Sequence, residues 1–184
     1  MQCGIEIESQ QPICGQCQHN PPFFNTTSYV CAYQAPIDKW IMALKFGRKI
    51  IYSKMFAELM LPKIVKVDLK YVLIPVPLHT QRLKKRGYNQ SYEIGKELAK
   101  LSGRELITPL IRNKNTQMQA QLKFKQRKKN VKNAFAMKET LTHSHIILID
   151  DVMTSGNTLN ECAKTLKKAG AEVIKVLVFA RKSF

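Results

Sequence analysis

The sequence predicts an α/β fold in which parallel strands alternate with helices. Residues 145–149 and 173–179 are short runs of aliphatic and β-branched residues, and a helical stretch lies between them. Strand, helix and strand fit within about 35 residues, which is typical of a βαβ unit with parallel strands and a right-handed crossover. A third apolar run, residues 70–74, is closed by prolines and predicts another buried strand.

The helices are predicted from apolar residues that recur at helical spacing. Four stretches have this pattern and end at a glycine or a proline: residues 35–46, 50–61, 92–101 and 157–169. Residues 28–33 predict a short strand, and the highly charged residues 112–132 predict a mobile loop with some helix. The expected organisation is a small cysteine-rich segment, residues 1–30, followed by the main domain, residues 31–184.

The composition is that of a globular protein with a strong positive charge. Of 184 residues, 45% are apolar, and 30 Lys and Arg against 13 Asp and Glu give a net charge of +17. No apolar run approaches the roughly 18 residues that span a bilayer, and the first residues lack the features of a secretory signal, so no membrane insertion is expected. Five cysteines are an odd number, which favours a reduced, cytoplasmic location over a disulfide framework.

Most of the positive charge lies in one part of the chain. Residues 79–133 contain 15 basic and 3 acidic residues, with two dense runs at 82–86 and 123–129. One such run is usually a solvated helix face, but two runs with little acid between them favour an anion-binding face. Phe124, inside the second run, would either stack on a base or pack in a helix. The predicted nucleic-acid contacts are Arg82, Lys84, Lys85, Arg86, Lys123, Lys125, Arg127, Lys128 and Lys129.

The turn of the βαβ unit contains the residues with the clearest chemistry. Asp150 and Asp151 follow the strand directly, and the small, mostly hydroxylated residues 154–158 lead into the helix. A helix amino terminus presents unpaired N–H groups and partial positive charge, which suits a phosphate, and Gly156 lets the backbone approach it. Two carboxylates can accept hydrogen bonds from the hydroxyls of a ribose. An ordinary turn with a Ser or Thr N-cap explains the hydroxyls but not the paired like charges.

These residues resemble the phosphoribosyl-pyrophosphate-binding signature of the type I phosphoribosyltransferase fold. Over nearly its full length the chain is similar to the ComF family of competence proteins, on three further segments: residues 74–79, 82–91 and 127–135. Within the second segment, residues 86–90 (RGYNQ) distinguish this family from nucleobase salvage enzymes of the same fold. Residues 44–46 (LKF) also fit the family's entry into the domain.

The resemblance implies a parallel-sheet, Rossmann-like type I phosphoribosyltransferase domain that binds phosphoribosyl pyrophosphate with Mg²⁺. Asp150 and Asp151 would be the catalytic pair and would hold the ribose hydroxyls, directly or through Mg²⁺. Residues 113–129 would form the mobile loop that closes over the ligand. The remaining contacts to phosphoribosyl pyrophosphate would come from Val76, Pro77, His79, Arg82, Arg86, Met153, Thr154, Ser155, Gly156, Asn157 and Thr158.

The cysteines suggest a structural metal site. Cys14 and Cys17 form a Cys-x₂-Cys knuckle, and Cys3 precedes it. Proteins of the family it resembles often begin with two such pairs, which implies a zinc-ribbon-like segment around Zn²⁺. Here the partner of Cys3 would fall immediately before Met1. The predicted ligands are therefore Cys3, Cys14 and Cys17, and either a fourth comes from upstream, His19 or Cys31, or the knuckle is degenerate.

Three functions remain open at this point. The first is a binding protein that uses the ligand site as a sensor or scaffold and handles single-stranded DNA during natural transformation, with other DNA-uptake proteins, as the resemblance to ComF implies. The second is an enzyme that transfers the phosphoribosyl group to a base or amine and releases pyrophosphate. No acceptor pocket is visible in the sequence. The third is a role in nucleotide metabolism without DNA, in which the charge serves only pyrophosphate binding and solubility.

Overall fold

The computed structural model describes residues 2–4, 13–114 and 131–182. Its centre is a sheet of four parallel strands, hydrogen-bonded in the order β1 (Thr26–Ala32), β6 (Val173–Arg181), β5 (His145–Met153) and β2 (Val72–Pro75). A separate antiparallel pair joins β3 (Leu110–Arg112) to β4 (Phe135–Met137). The described helices are α1 (Gly15–His19), α2 (Ile37–Phe46), α3 (Ile51–Met60), α4 (Thr80–Arg86), α5 (Gln90–Ser102) and α6 (Asn157–Lys168), with a 3₁₀ turn at Leu61–Lys63.

Helices cover both faces of the sheet, so its central strands are buried on both sides. Along β5, Ile146 and Leu148 share a core with α6, whereas Ile147 and Ile149 share one with α2, α3 and α5. This alternation follows from the two-residue period of a strand. Helix α6 turns four residues into its core, as its apolar spacing predicts: Leu159, Cys162, Ala163 and Leu166.

The predicted α/β class, the parallel strands and the four long helices are confirmed. Strand β5 is longer than predicted, since it continues past Ile149 as far as Met153. Asp150 still pairs with Val178 of β6, and Met153 pairs with Arg181. The two carboxylates therefore lie within a hydrogen-bonded strand and not in the turn that follows it. Strand β5 pairs with β6 both before and after these two residues, which holds their backbone in place.

The apolar pattern does not predict α4, β3 or β4. Helix α4 contains a single apolar residue, Leu83, and so has no apolar period. Its ends are set by the His79 ring, which accepts a hydrogen bond from the Gln81 N–H at 3.3 Å, and by Gly87 at φ 89°. Strands β3 and β4 have three residues each, too few for a period. Residues 115–130, which make up most of the predicted mobile loop, lie outside the described residues.

The carboxyl ends of β2, β5 and β6 lie side by side at one edge of the sheet. In open parallel sheets this is the edge at which ligands bind. The last turn of α2 and the first turn of α5 also reach this edge, where Lys45, Gln90 and Ser91 contact the aspartates of β5. In the described part of the chain, no helix is both long enough and apolar enough to cross a membrane.

Candidate functional site

A cleft of about 360 Å³ opens at the carboxyl edge of the sheet. It is lined by residues from β5, the loop between β5 and α6 (residues 154–156), α2, α4 and β3. Pro77, His79, Ser155 and Asn157, which were also predicted as ligand contacts, are not among its lining residues. The predicted ligand contacts that line the cleft are Val76, Arg82, Arg86, Asp150, Asp151, Met153, Thr154, Gly156 and Thr158.

Asp150 and Asp151 are buried and engaged by donors from two helices. Asp150 accepts hydrogen bonds from Ser91 Oγ at 2.7 Å and from the N–H of Asp151 at 2.9 Å. Asp151 Oδ1 accepts a hydrogen bond from Gln90 Nε2 at 3.1 Å, and its Oδ2 lies 2.5 Å from Lys45 Nζ. Lys45 belongs to the last turn of α2, and Gln90 and Ser91 open α5, so two segments distant in sequence converge on the pair.

The two carboxyl groups have opposite pKa shifts. Burial, followed by repulsion from Asp151, raises the pKa of Asp150 to about 7. Burial also pushes the pKa of Asp151 up, but the charge of Lys45 and the hydrogen bonds from Lys45, Asp150 and Gln90 together outweigh it. The pKa of Asp151 is therefore held below its usual range. The pair consists of one firmly ionised carboxylate and one carboxyl group that titrates near neutrality.

This raised pKa predicts a pH dependence of stability. Between about pH 4 and pH 7 the folded chain holds a proton on Asp150 that the unfolded chain has released, so stability falls as the pH rises through this window. Asp151, Lys45, Arg86, Arg112 and Cys162 are the ionisable groups that act on Asp150. Urea unfolding should show that wild type loses stability relative to Asp150→Asn across this window. A pH-independent difference would contradict the assignment.

The β5–α6 loop has the geometry of an anion cradle. Gly156 is the N-cap of α6 and has φ 74°, a conformation that L side chains rarely adopt. A Cβ at this position would come within 2.6 Å of Met153 Cε, so only glycine fits here without a rearrangement. The buried Ser155 Oγ has no hydrogen-bond partner among the described residues. Together with the amino terminus of a 12-residue helix, whose N–H groups point toward this end, the loop has the donor chemistry of an anion site.

Three arginines add positive charge to the same cleft. Arg82 and Arg86 lie on α4, and the buried Arg112 lies on β3. Burial lowers the pKa of Arg82, and repulsion from Arg112 and Arg86 lowers it further, so the three guanidinium groups are close enough to interact. Arg86 donates a hydrogen bond to Gln90 Oε1 and lies 5.1 Å above the ring of Phe46. Such a cluster is stabilised by a bound polyanion.

Part of the cleft wall is apolar. Tyr33, Met42 and Phe46 line it, and the side chains of Met42 and Phe46 are 48% and 53% exposed. Met42 and Phe46 are four residues apart on α2 and so lie on one helix face. The sequence pattern indicates no such wall, because these residues read as part of an ordinary amphipathic helix.

The predicted nucleic-acid contacts divide into two groups. Lys84 and Lys85 are exposed on α4, the helix that also carries Arg82 and Arg86 into the cleft. The second basic run, Lys123, Lys125, Arg127, Lys128 and Lys129, lies outside the described residues, as does Phe124.

Besides the apolar residues, four cleft residues that contact the acidic pair or join the arginines were not predicted from the sequence. Lys45, Gln90 and Ser91 contact the acidic pair, and Arg112 joins the arginine cluster. Lys45 and Gln90 lie in segments that support the family resemblance. Asn89 is the N-cap of α5, and the two residues after it contact the aspartates of β5. The N-cap at Asn89 could have identified Gln90 and Ser91 as the first residues of a helix. Arg112 has no comparable signal, since it lies between an apolar run and a charged one.

Arg181, at the end of β6, links the cleft to the amino-terminal cysteines. Its guanidinium is buried and donates hydrogen bonds to four backbone carbonyls: those of Cys3, Met153, Thr154 and Lys182. Two of these carbonyls belong to the end of β5 and the β5–α6 loop. The position of that loop therefore depends on Arg181 and, through it, on the backbone at Cys3.

The structure brings the three predicted cysteine ligands together. The sulfur atoms of Cys3, Cys14 and Cys17 lie within 4.8 Å of one another, and among the described residues neither His19 nor Cys31 belongs to this group. Cys31 instead donates to the carbonyl of Phe179 at 3.6 Å. Burial and the neighbouring Cys3 and Cys14 raise the pKa of Cys17 to about 12. Three sulfur donors at this spacing have the chemistry of a zinc site.

Comparison with known protein families assigns this architecture to a class. The family model described as "Phosphoribosyl transferase domain" matches residues 89–183, from the N-cap of α5 through β6, which include Asp150, Asp151 and the β5–α6 loop. Glutamine phosphoribosylpyrophosphate amidotransferase from B. subtilis is 17% identical, covers 68% of this chain and 25% of its own, and superposes with a TM-score of 0.45. The family-model match shows that the domain is of the phosphoribosyl transferase class.

Longer similarities define the family within this class. Competence protein F of Haemophilus influenzae is 32% identical over 189 residues, which cover 97% of this chain and 82% of that protein. DNA utilization protein YhgH of Escherichia coli O6:H1 is 30% identical over 187 residues, 98% of this chain and 82% of that protein. The chain belongs to the ComF family of competence proteins.

Proposed function

We propose that the chain binds phosphoribosyl pyrophosphate in the cleft at the carboxyl edge of the sheet. The observation that carries this proposal is that an acidic pair, a glycine-containing anion cradle and three arginines line one cleft of about 360 Å³. The β5–α6 loop and the α6 amino terminus would take the 5′-phosphate, Asp150 and Asp151 the ribose hydroxyls, and Arg82, Arg86 and Arg112 the pyrophosphate.

Mg²⁺, which this class of protein uses with phosphoribosyl pyrophosphate, does not fit the acidic pair as it is arranged. Both carboxylate oxygens of Asp151 are engaged, one by Gln90 and one by Lys45, and Asp150 Oδ1 accepts hydrogen bonds from Ser91 Oγ and from the Asp151 N–H. Asp150 and Asp151 would therefore contact the ribose hydroxyls directly. A magnesium ion would accompany the ligand on its pyrophosphate.

Titration calorimetry with phosphoribosyl pyrophosphate, and with ribose 5-phosphate and pyrophosphate separately, tests this proposal. We expect one-to-one binding of the whole ligand, tighter than either half, and a loss of at least about tenfold in Arg86→Ala, equivalent to about 1.4 kcal/mol. Lys63→Ala, which removes an exposed charge after α3, is the control. Equal affinity of Arg86→Ala and Lys63→Ala, or no binding by wild type, would refute the assignment.

We further propose that the exposed face of α4 handles single-stranded DNA during natural transformation, alongside other DNA-uptake proteins. The names of the two relatives, a competence protein and a DNA utilization protein, support this role. The charge supports it as well, because Lys84 and Lys85 are exposed on the same helix whose arginines line the cleft. The cysteines are free thiols, as a reducing cytoplasm would keep them.

Salt dependence tests the DNA face. On single strands the logarithm of the binding constant falls with the logarithm of salt concentration by about 0.7 per phosphate contact. Replacing Lys84 and Lys85 by alanine should therefore reduce the slope by about 1.4 in total, whereas replacing the exposed Lys63 and Lys66 should leave it unchanged. The same slope in both double variants would refute this face, and so would absence of wild-type binding at low salt.

A transfer enzyme is the second candidate, and the apolar wall of the cleft favours it. Tyr33, Met42 and Phe46 line the cleft together with the acidic pair and offer a surface for a flat base or an amine acceptor. The arginines would stabilise departing pyrophosphate electrostatically. Release of pyrophosphate with a panel of bases and amines tests this activity. Turnover that depends on Asp151 would establish it, and no turnover with bound ligand would leave binding as the function.

For the cysteine cluster we propose a structural Zn²⁺ held by Cys3, Cys14 and Cys17. Their three sulfur atoms fit the ion's preference for thiolates, and a short segment of this kind gains its order from the metal. Metal analysis by mass spectrometry should give one zinc per chain in wild type and in Cys31→Ser, and none in Cys17→Ser. Equal zinc content in all three proteins would contradict the ligand set.

A further inference from the structure

We propose that Lys45 is the resident cation of the acidic pair. It takes the place at Asp151 that a divalent metal ion would otherwise take, and so reserves the pair for the hydroxyls of the ligand. The direct observation is the distance of 2.5 Å between Lys45 Nζ and Asp151 Oδ2. The Asp151 side chain is 3% exposed and that of Lys45 is 22% exposed, so solvent weakens this ion pair little.

Neutral donors lie at two further carboxylate oxygens, Asp151 Oδ1 and Asp150 Oδ1. Gln90 Nε2 donates a hydrogen bond to Asp151 Oδ1, and both Ser91 Oγ and the Asp151 N–H donate to Asp150 Oδ1. A divalent cation needs several carboxylate, carbonyl or water oxygens around it at about 2.0 to 2.6 Å. To bind Asp151 it would have to displace the ammonium group and then lie beside that like charge.

Packing holds Lys45 in this place. The residue before it, Leu44, is fully buried, and the Leu44 carbonyl accepts a hydrogen bond from the buried Tyr88 hydroxyl. The residue after it, Phe46, lies under the guanidinium of Arg86. Helix α2 is therefore attached on both sides of Lys45, to Tyr88 and to Arg86, which fixes the backbone from which the lysine side chain reaches Asp151.

The charge balance explains why this arrangement suits a polyanionic ligand. Two bare carboxylates would repel the phosphates of phosphoribosyl pyrophosphate, but Lys45 offsets the charge of Asp151 and Arg86 lies near both carboxylates. The lysine supplies this positive charge from the protein itself. Lys45 is thus a specificity-determining residue that acts through Asp151. The effect on ligand binding rests on the proposed function, whereas exclusion of metal from the free protein does not.

Manganese titration of the free protein, followed by electron paramagnetic resonance, tests the exclusion. Wild type and Lys45→Arg should have no saturable Mn²⁺ site that is sensitive to Asp151→Asn. Lys45→Met should gain one such site, at least about tenfold tighter than any in wild type, and lose it when Asp151→Asn is added. Lys39→Met removes an exposed lysine of the same helix and should behave as wild type.

Two results would overturn the proposal. One is a wild-type Mn²⁺ site that Asp151→Asn abolishes. The other is a folded Lys45→Met variant, as judged by circular dichroism, without a gain in Mn²⁺ binding. Should Lys45→Met fail to fold, the wild-type comparison with Asp151→Asn still decides, because that measurement does not need the lysine variant.

Ligand affinity with and without a chelator separates this proposal from the proposed function. Removing Mg²⁺ should lower the affinity for phosphoribosyl pyrophosphate by a factor at least about tenfold larger in Lys45→Met than in wild type. Equal loss in both proteins would overturn the role of Lys45 in ligand binding. Absence of binding by wild type under both conditions would instead overturn the proposed function, and the manganese result would still stand.

Discussion

Asp151→Ala is expected to lower the free energy of unfolding by about 2 to 3 kcal/mol and to abolish binding of phosphoribosyl pyrophosphate. The substitution leaves the ammonium group of Lys45 and the amide of Gln90 facing a buried, apolar methyl group. Removing one partner of a buried ion pair is costly because the other charge stays behind without compensation. The partial exposure of Lys45 places the cost at the lower end of the usual range.

Urea unfolding checks this prediction, with Asp68→Ala as the matched control. Asp68 also pairs with a lysine, but its side chain is 60% exposed and lies 3.7 Å from Lys70 Nζ. Its removal should change stability little, since exposed pairs contribute little. The double variant Lys45→Met/Asp151→Leu should recover stability without recovering ligand binding. Equal losses in Asp151→Ala and Asp68→Ala would contradict the buried ion pair.

Arg181→Ala has the second large expected effect, because one side chain holds both the β5–α6 loop and the backbone at Cys3. Its loss removes a donor from four carbonyls, of which that of Met153 keeps the Lys182 N–H, and should destabilise the fold by about 3 kcal/mol. Affinity for phosphoribosyl pyrophosphate should fall by about tenfold or more, since the loop that would take the 5′-phosphate loses its support.

Arg104→Ala is a close control for this prediction. Arg104 is also buried and also donates to four backbone carbonyls, those of Ile64, Val67, Asp68 and Tyr71. These residues precede β2 and lie at the end of that strand away from the cleft. Both variants should lose similar stability, but only Arg181→Ala should lose affinity in calorimetry. A similar loss of affinity in Arg104→Ala would show that global stability, not the loop, determines binding.

The parts of the site that are contiguous in sequence could be predicted, and the parts assembled by folding could not. Asp150, Asp151 and residues 154–158 are close neighbours along the chain, so their chemistry can be read directly from it. The same pattern indicates that the paired charges need compensation. It does not indicate that Lys45 supplies this compensation, because the contact exists only after α2 has packed against the sheet.

The fold was predictable where apolar residues recur with a clear period. Helices α2, α3, α5 and α6 and the central strands have such a period because they bury one or both faces. Helix α4 was missed because it is held by its caps and by polar contacts, not by an apolar stripe. The extension of β5 to Met153 was missed because two carboxylates look like the end of a strand, although their backbone continues to pair with β6.

The central claim is that the cleft binds phosphoribosyl pyrophosphate through the β5–α6 loop, the acidic pair and the arginines. A nuclear magnetic resonance titration of the ¹⁵N-labelled protein tests it most directly, because it reports where the ligand binds. The largest shifts are predicted at the backbone amides of residues 150–158 and at the guanidinium groups of Arg82, Arg86 and Arg112. Shifts confined to other parts of the chain, or no shifts at saturating ligand, would contradict the claim.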